Sequence, residues 1–238
     1  MIFNISGFTH LGTVRTINQD RILIQDQILL DGICDFEHVE HCFCFVADGI
    51  GGNRAGEIAA QFVLEKLLNW CKNQTEFSEE SIRSGLEQIN NDLILFGKQN
   101  QDHSGLSTTL VGLIVQNETS FIPSAGDSPL WLLRNEMFYQ LTENQVVNPY
   151  EKDSPLMSYF GGRENNLELQ FCTDLREICP NDIFVLCSDG LLKSLSQKQI
   201  KAILSSNQSL REKARFLLKK IMEMGAEDNV SCILVEII

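Results

Sequence analysis

Apolar positions fall along this chain in two rhythms. Short runs rich in Val, Ile, Leu and Phe predict strands at Ile22–Leu30, Cys42–Ala47, Thr109–Gln116, Ser120–Ala125, Leu130–Arg134, Asp182–Cys187 and Ser231–Ile237. Three longer segments repeat at helical spacing instead. Ala55–Trp70 pairs Ile58 with Phe62 and Val63 with Leu67, and Ser81–Gly97 carries Ile82, Leu86, Ile89, Leu93 and Phe96. Ser209–Met222 does the same with Leu210, Ala214, Leu217 and Ile221. These stripes are core faces and carry no functional weight.

Strands cluster with strands and helices with helices. That order predicts a layered α+β protein with largely antiparallel sheets, not a doubly wound parallel one. No repeat, low-complexity tract or Pro/Gly/Ser-rich linker interrupts the chain, so residues 1–238 are expected to form one domain. Leu141–Asn166 is polar, holds Pro149, Pro155 and the pair Gly161-Gly162, and reads as a long irregular loop.

Composition narrows the function classes. With 43% hydrophobic and 21% charged residues over 238 positions, the chain can build a substantial core. A net charge of -13 argues against nucleic acid and anionic lipid as partners. That charge serves solubility, or it gathers carboxylates around cations; positions must decide. The eight cysteines show no C-x-x-C, and His10, His38, His41 and His103 are scattered, so zinc is not expected. Reduced thiols suit the cytoplasm. MIFNISGFTH lacks a basic stretch followed by an apolar run, so no signal peptide is expected. No apolar stretch is long enough to predict a membrane span.

Two segments share one design. Cys42-Phe-Cys-Phe-Val-Ala-Asp48-Gly49 and Ile183-Phe-Val-Leu-Cys-Ser-Asp189-Gly190 are apolar strands ending in Asp-Gly. A buried strand is rigid and aims the carboxylate at its end. The glycine lets the backbone turn and brings its carbonyl near a ligand. Two such ends side by side repel unless a cation lies between them. Oxygen-only donors suit Mg2+ or Mn2+. A lone Asp-Gly after a strand is usually a turn, so further segments must carry the case.

They do. Gly12-Thr-Val-Arg15-Thr-Ile-Asn18-Gln19-Asp20 lies near the N-terminus, and Asp48-Gly49-Ile-Gly-Gly-Asn-Arg-Ala-Gly56-Glu57 follows the first strand. Gly105-Leu-Ser-Thr108-Thr109 opens another strand, Gly126-Asp127-Ser128 closes the next, and Glu227-Asp228-Asn229 precedes the last. In this order, over nearly the whole chain, the motifs resemble the metal-dependent protein phosphatase family (type 2C, or PPM), and compact bacterial members above all.

The resemblance implies a fold and a set of roles. The fold would be a four-layer α-β-β-α sandwich, two mainly antiparallel sheets flanked by helices. Asp48 would bridge two Mn2+ or Mg2+ ions, with the Gly49 carbonyl on one and Asp189 and Asp228 completing the other's shell. Asp127 matches a position that binds a third ion. Asp20 would hold water in the outer shell, and Arg15 would grip the substrate phosphate with its planar fork. Residues 141–166 would be the flap beside the site. The implied reaction is hydrolysis of phosphoserine and phosphothreonine in proteins by a metal-activated water, without a covalent phosphoenzyme. A serine/threonine kinase would be its counterpart, and the chain would act as a monomer. Asn18 and Asn229 are expected to orient backbone and neighbouring carboxylates, and Thr108 and Thr109 to pack.

Departures temper this reading. Gln19 stands where many members carry Glu, and Ile50 where animal-type members carry a histidine thought to protonate the leaving oxygen. Asn53, Pro129 and Asn144-Gln145 also depart. Two other readings therefore stay open: a catalytically weak module that binds phosphoproteins, and a hydrolase of a small phosphorylated metabolite. None of Asp48, Asp189 or Asp228 is lost, which favours an active enzyme.

Overall fold

Two antiparallel sheets lie face to face in the computed structural model, which describes residues 1–50, 56–99, 104–151, 154–172, 175 and 177–238. In chain order the elements are β1 (Phe3–His10), β2 (Asp20–Ile24), β3 (Gln27–Leu29), β4 (Gly32–Val39), β5 (Cys42–Ile50), α1 (Gly56–Cys71) and α2 (Glu79–Gln99). Next come β6 (Ser107–Thr108), β7 (Leu110–Gln116), β8 (Thr119–Phe121), β9 (Pro123–Ala125), β10 (Leu130–Arg134), β11 (Met137–Gln140), β12 (Phe160–Gly161) and β13 (Gln170–Phe171). The chain ends with β14 (Ile183–Cys187), α3 (Asp189–Ser194), α4 (Gln197–Leu204), α5 (Leu210–Glu223) and β15 (Val230–Ile237).

One sheet runs β11-β10-β14-β15-β1-β4. The other runs β12-β6-β5-β7-β9-β13, with β2 added beside β5, β3 beside β2 and β8 beside β7. Alternation along β10 shows why they stack. Leu130 and Leu132 enter the layer between the sheets with Ile5, Val46, Val111 and Val235. Trp131 and Leu133 point the other way, against Leu204, Leu217 and Ile221 of α4 and α5. On the second sheet, Phe45 and Ile114 pack outward against Val63, Leu67, Leu86 and Leu93 of α1 and α2. Three apolar layers between four structural layers make the expected α-β-β-α sandwich. Strands buried on both faces need no polar alternation, which is why they read as unbroken apolar runs.

Three expectations are corrected. The predicted strand Ile22–Leu30 is a hairpin, β2 and β3, turned at Gln25 with φ 58°. Gln25 holds that turn: its Oε1 accepts from Phe43 N at 3.2 Å, and its Nε2 donates to His41 O at 2.6 Å. Ser120–Ala125 divides into β8 and β9 around Ile122, because the first half pairs only with β7 and the second also with β13. Asp189-Gly190 does not make a turn after its strand but opens α3. The helices over 55–70, 81–97 and 209–222 are observed as α1, α2 and α5; Asn53 and Ala55 lie outside the described residues.

Candidate metal centre

The first carboxylate is placed by strand pairing. Asp48 lies within β5, not at its end, and stands directly opposite Asp20 of β2 in the antiparallel register. Two threonines clamp its backbone. Thr109 Oγ1 accepts from Asp48 N at 3.1 Å, Thr109 N donates to Asp48 O at 2.8 Å, and Thr108 Oγ1 donates to the same carbonyl at 2.9 Å. These threonines brace the candidate ligand, more than the packing role expected of them. The next residue must be glycine. A Cβ on Gly49 would lie 2.3 Å from the Gly56 carbonyl carbon, so the start of α1 can approach only a bare backbone.

The N-terminal loop brings in Arg15. Thr13 N donates to Ala226 O at 2.8 Å and Thr13 Oγ1 to Gly225 O at 2.6 Å, which straps residues 12–15 to the loop before β15. Gly12, at φ +82°, lies so close that a Cβ would meet Asp228 O at 2.3 Å. Arg15 Nε then pairs with Asp228 Oδ1 at 2.8 Å. The two asparagines order backbone, as expected. Asn18 Oδ1 accepts from Asp20 N, and Asn229 spans Gln19 N, Leu11 O and Ile17 O.

Asp189 and Asp228 meet through a residue the motifs did not single out. Lys193, one turn after Asp189 on α3, places its Nζ 2.7 Å from Asp189 Oδ2 and 2.9 Å from Asp228 Oδ2. The second oxygen of Asp228 is also taken, by Arg15 Nε and by Asn229 N at 2.9 Å. A cavity of about 830 Å³ opens here, lined by Val14, Arg15, Lys193, Met224, Glu227 and Asp228.

Electrostatics tie the group together. Asp20 is buried, and Ser188 Oγ donates to its Oδ2 at 2.7 Å. Its pKa is pushed up to about 6, by burial first and then by the charges of Asp189 and Asp228. Asp127 also rises to about 6, through burial and the charge of Asp189. Asp48 is held well above the carboxylate range by desolvation and by Asp20, Asp189, Asp127 and Asp228. Asp228 runs the other way: burial would raise it, but Lys193 and Arg15 bring it below its ordinary value. Lys193 would be lowered by burial, yet its bonds to Asp189 and Asp228 raise it.

The donor set fits a hard divalent cation. Asp20 Oδ1 is buried with no hydrogen-bond partner, an acceptor left facing a ligand or water. Desolvation and the charges of Asp20, Asp189, Asp127 and Asp228 raise the pKa of Asp48, as expected where like charges gather without a cation between them. The shell is not closed, however: among the described residues no three His, Cys, Asp or Glu side chains stand together in a ready arrangement for a metal. Asp127 is set beside the others by Gln145, whose Oε1 accepts from Gly126 N at 2.8 Å and whose Nε2 donates to Glu168 O at 2.8 Å. Ser128, next to Asp127, bonds Thr109 Oγ1 at 2.7 Å.

Comparison with known proteins shows the family and the fold. A family model described as protein phosphatase 2C matches residues 15–237. The chain belongs to the protein phosphatase 2C family. The serine/threonine phosphatase stp of Listeria monocytogenes is 31% identical over 212 residues, covering 80% of this chain and 82% of that protein. Protein phosphatase PhpP of Streptococcus pneumoniae is 28% identical over 249 residues, 97% of this chain and 96% of that protein. The fold matches the Mycobacterium tuberculosis serine/threonine phosphatase PstP/Ppp with a TM-score of 0.80 at 22% identity, covering 100% of this chain and 99% of that one. It matches the catalytic domain of PstP in complex with two manganese ions with a TM-score of 0.80 at 23% identity, covering 99% and 98%.

Within this protein phosphatase 2C chain, the sequence motifs named Arg15, Asp20, Asp48, Gly49, Asp127, Asp189 and Asp228 as candidates. They gave no role to Ser188, Lys193 or Gln145. Ser188 directly precedes Asp189, but its bond to Asp20 joins residues 168 apart in sequence and is seen only in the fold. Lys193 becomes visible only once α3 is recognised and the i, i+4 spacing from Asp189 has meaning.

Proposed function

We propose that this chain is a metal-dependent serine/threonine protein phosphatase of the cytoplasm, acting on phosphorylated proteins supplied by a serine/threonine kinase. One observation carries the reading: Asp48 stands directly opposite Asp20 in the strand register, beside a buried, unpartnered oxygen of Asp20, and desolvation together with the charges of Asp20, Asp189, Asp127 and Asp228 raises its pKa. Family membership and relatives named as phosphatases support it, as does the fold shared with a phosphatase holding two manganese ions.

In this reading Asp48, the Gly49 carbonyl, Asp189 and Asp228 hold two Mn2+ or Mg2+ ions, and Asp127 contributes to a third. Bound there, the ions supply a nucleophile from water near neutral pH and offset charge on the phosphoryl group. Arg15 grips phosphoryl oxygens at the cavity mouth and neutralises them as the seryl or threonyl oxygen leaves. Asp20 Oδ1 accepts from water in the cleft, and Ser188 keeps the other carboxylate oxygen turned away from it. Ile50 offers no proton to the leaving oxygen, so solvent in the cleft provides it. Burial raises the thiol pKa of Cys34 and Cys71 to about 11 and pushes up those of Cys44, Cys187 and Cys232, so none of these five supplies a thiolate nucleophile. Residues 141–166 act as the flap, tied to the Asp127 loop by Gln145, and the chain works as one catalytic domain and as a monomer. All eight cysteines are free thiols, in keeping with a reducing compartment. Among the described residues no helix is long and apolar enough to cross a membrane.

The test is hydrolysis of an aryl phosphate and a phosphothreonine peptide by metal-stripped protein, with and without Mn2+. Activity should appear with Mn2+ and fall at least about 10³-fold in Asp48→Asn and Asp189→Ala. Turnover of phosphorylated metabolites alone would point to the small-molecule hydrolase. Folded protein inactive at every Mn2+ concentration would leave the phosphoprotein-binding module.

A further inference from the structure

Both carboxylate oxygens of Asp228 are occupied by the protein itself. Oδ2 accepts from Lys193 Nζ at 2.9 Å, while Oδ1 accepts from Arg15 Nε at 2.8 Å and from Asn229 N at 2.9 Å. Asp189 Oδ2 is bound to the same ammonium at 2.7 Å. A divalent ion needs those lone pairs at about 2.0–2.2 Å, with its own charge in place of the ammonium's. A metal and the ammonium would compete for the same carboxylate oxygens, and two cations sharing two carboxylates repel.

We infer that Lys193 is a built-in competitor for the metal that binds Asp189 and Asp228, so loading that ion requires the ammonium to leave. The inference rests on the two-metal reading above. Lys193 is suited to the part by its place in the fold. It sits at the far end of the six-residue α3, whose first residue is Asp189, so one helical turn fixes the pairing. Its side chain is about one-third exposed, and it lines the cavity, which gives the displaced ammonium somewhere to go. A lysine stem with four rotatable bonds can swing there without moving the backbone. The consequence is a site that keeps its carboxylates neutralised when metal is scarce and fills its second position only at higher metal concentration.

The experiment is calorimetric titration of metal-stripped protein with Mn2+, comparing wild type, Lys193→Met and Lys193→Arg. Wild type should bind ions of unequal affinity. Lys193→Met should bind the weaker ion roughly ten-fold tighter, on the order expected for removing a cation shared by two partly exposed carboxylates. Lys193→Arg, which keeps the charge, should stay within about three-fold of wild type. Thermal melts supply a second readout. Lys193→Met should melt below wild type without metal and level with it at saturating Mn2+, whereas a purely structural lysine would lower both melts. Equal or weaker Mn2+ binding by folded Lys193→Met overturns the competitor role while leaving the two-metal reading intact. Wild type that binds no Mn2+ overturns both. Should Lys193→Met fail to fold, Lys193→Gln carries the same expectation.

Discussion

Two acidic regions of this molecule treat the same side chain in opposite ways. Asp35 on β4 accepts from Ser6 Oγ at 2.6 Å, from Arg211 Nε at 3.0 Å and from Arg215 at 3.0 Å. Burial would raise its pKa, yet the bonds from Arg215 and Ser6 and the two guanidiniums bring it below the ordinary value. Its charge is spent on the fold, joining β1, β4 and α5. At the cleft the ratio reverses. Asp20, Asp48, Asp127, Asp189 and Asp228 share chiefly Lys193 and Arg15 among the described residues, and three of the five are raised instead of lowered. A carboxylate satisfied by its own protein is structural. A set that the protein leaves under-neutralised is unstable alone and has free energy to gain from a cation.

The largest effect should come from breaking the cleft's own cation. Arg15→Ala is expected to lower kcat/KM for a phosphothreonine peptide by roughly 10²–10³-fold at saturating Mn2+. Arg211→Ala, the matching truncation beside Asp35, should leave kcat/KM within about two-fold, since surface pairs of this kind act on stability alone. Steady-state kinetics on both proteins would check this, and equal losses would erase the distinction between the regions.

The next effect is on stability. Asp20 and Asp127 have folded pKa values of about 6 against an ordinary 3.8, so the folded state holds protons that the unfolded chain releases. Metal-stripped protein should therefore lose stability as pH rises from about 4 through 6, by on the order of 3 kcal/mol for each of the two groups, and Asp48, raised as well, carries the loss to higher pH. Asp35 has the opposite sign: its contribution is present above its unfolded pKa and is lost as pH falls below it. Melting curves with a chelator should thus give a higher Tm at pH 5 than at pH 7. Added Mn2+ at pH 7 should reverse the order. A chelated protein more stable at pH 7 would show that the cleft carboxylates are better neutralised than their surroundings suggest.

The smallest effect belongs to the satisfied carboxylate. Asp35→Asn should cost about 1–2 kcal/mol in urea unfolding, the usual scale for hydrogen bonds to charged groups that stay partly wet. Phosphatase activity and Mn2+ affinity should not change.

Much of the sandwich could be read before any coordinates. Strands such as Leu130–Arg134 and Ile183–Cys187 are buried on both faces, and their unbroken apolar runs announce them. Strands that mix in polar residues did not announce themselves. β1 carries Asn4, Ser6, Gly7 and Thr9, and β4 carries Asp35, Glu37 and His38, so neither shows a run or a clean alternation. Both are held by pairing to each other, and β1 also to β15, a partner more than two hundred residues away. The short helix α3 was hidden because Asp-Gly reads as a turn. Gly190 serves instead for closeness, since a Cβ there would lie 2.0 Å from Asn229 O.

Local spacing and side-chain chemistry, both carried along the chain, were enough to predict the layered α+β class and the helical stripes, and the resemblance of the motifs pointed to the family and named the candidate ligands. The charge state of those ligands was not so legible. That Asp20 faces Asp48, that Lys193 ties Asp189 to Asp228, and that Asp35 is neutralised by α5 are facts of distance through space. Coulomb energy and desolvation depend on such distances and on burial, so only the folded chain settles which carboxylates are satisfied and which wait for a metal.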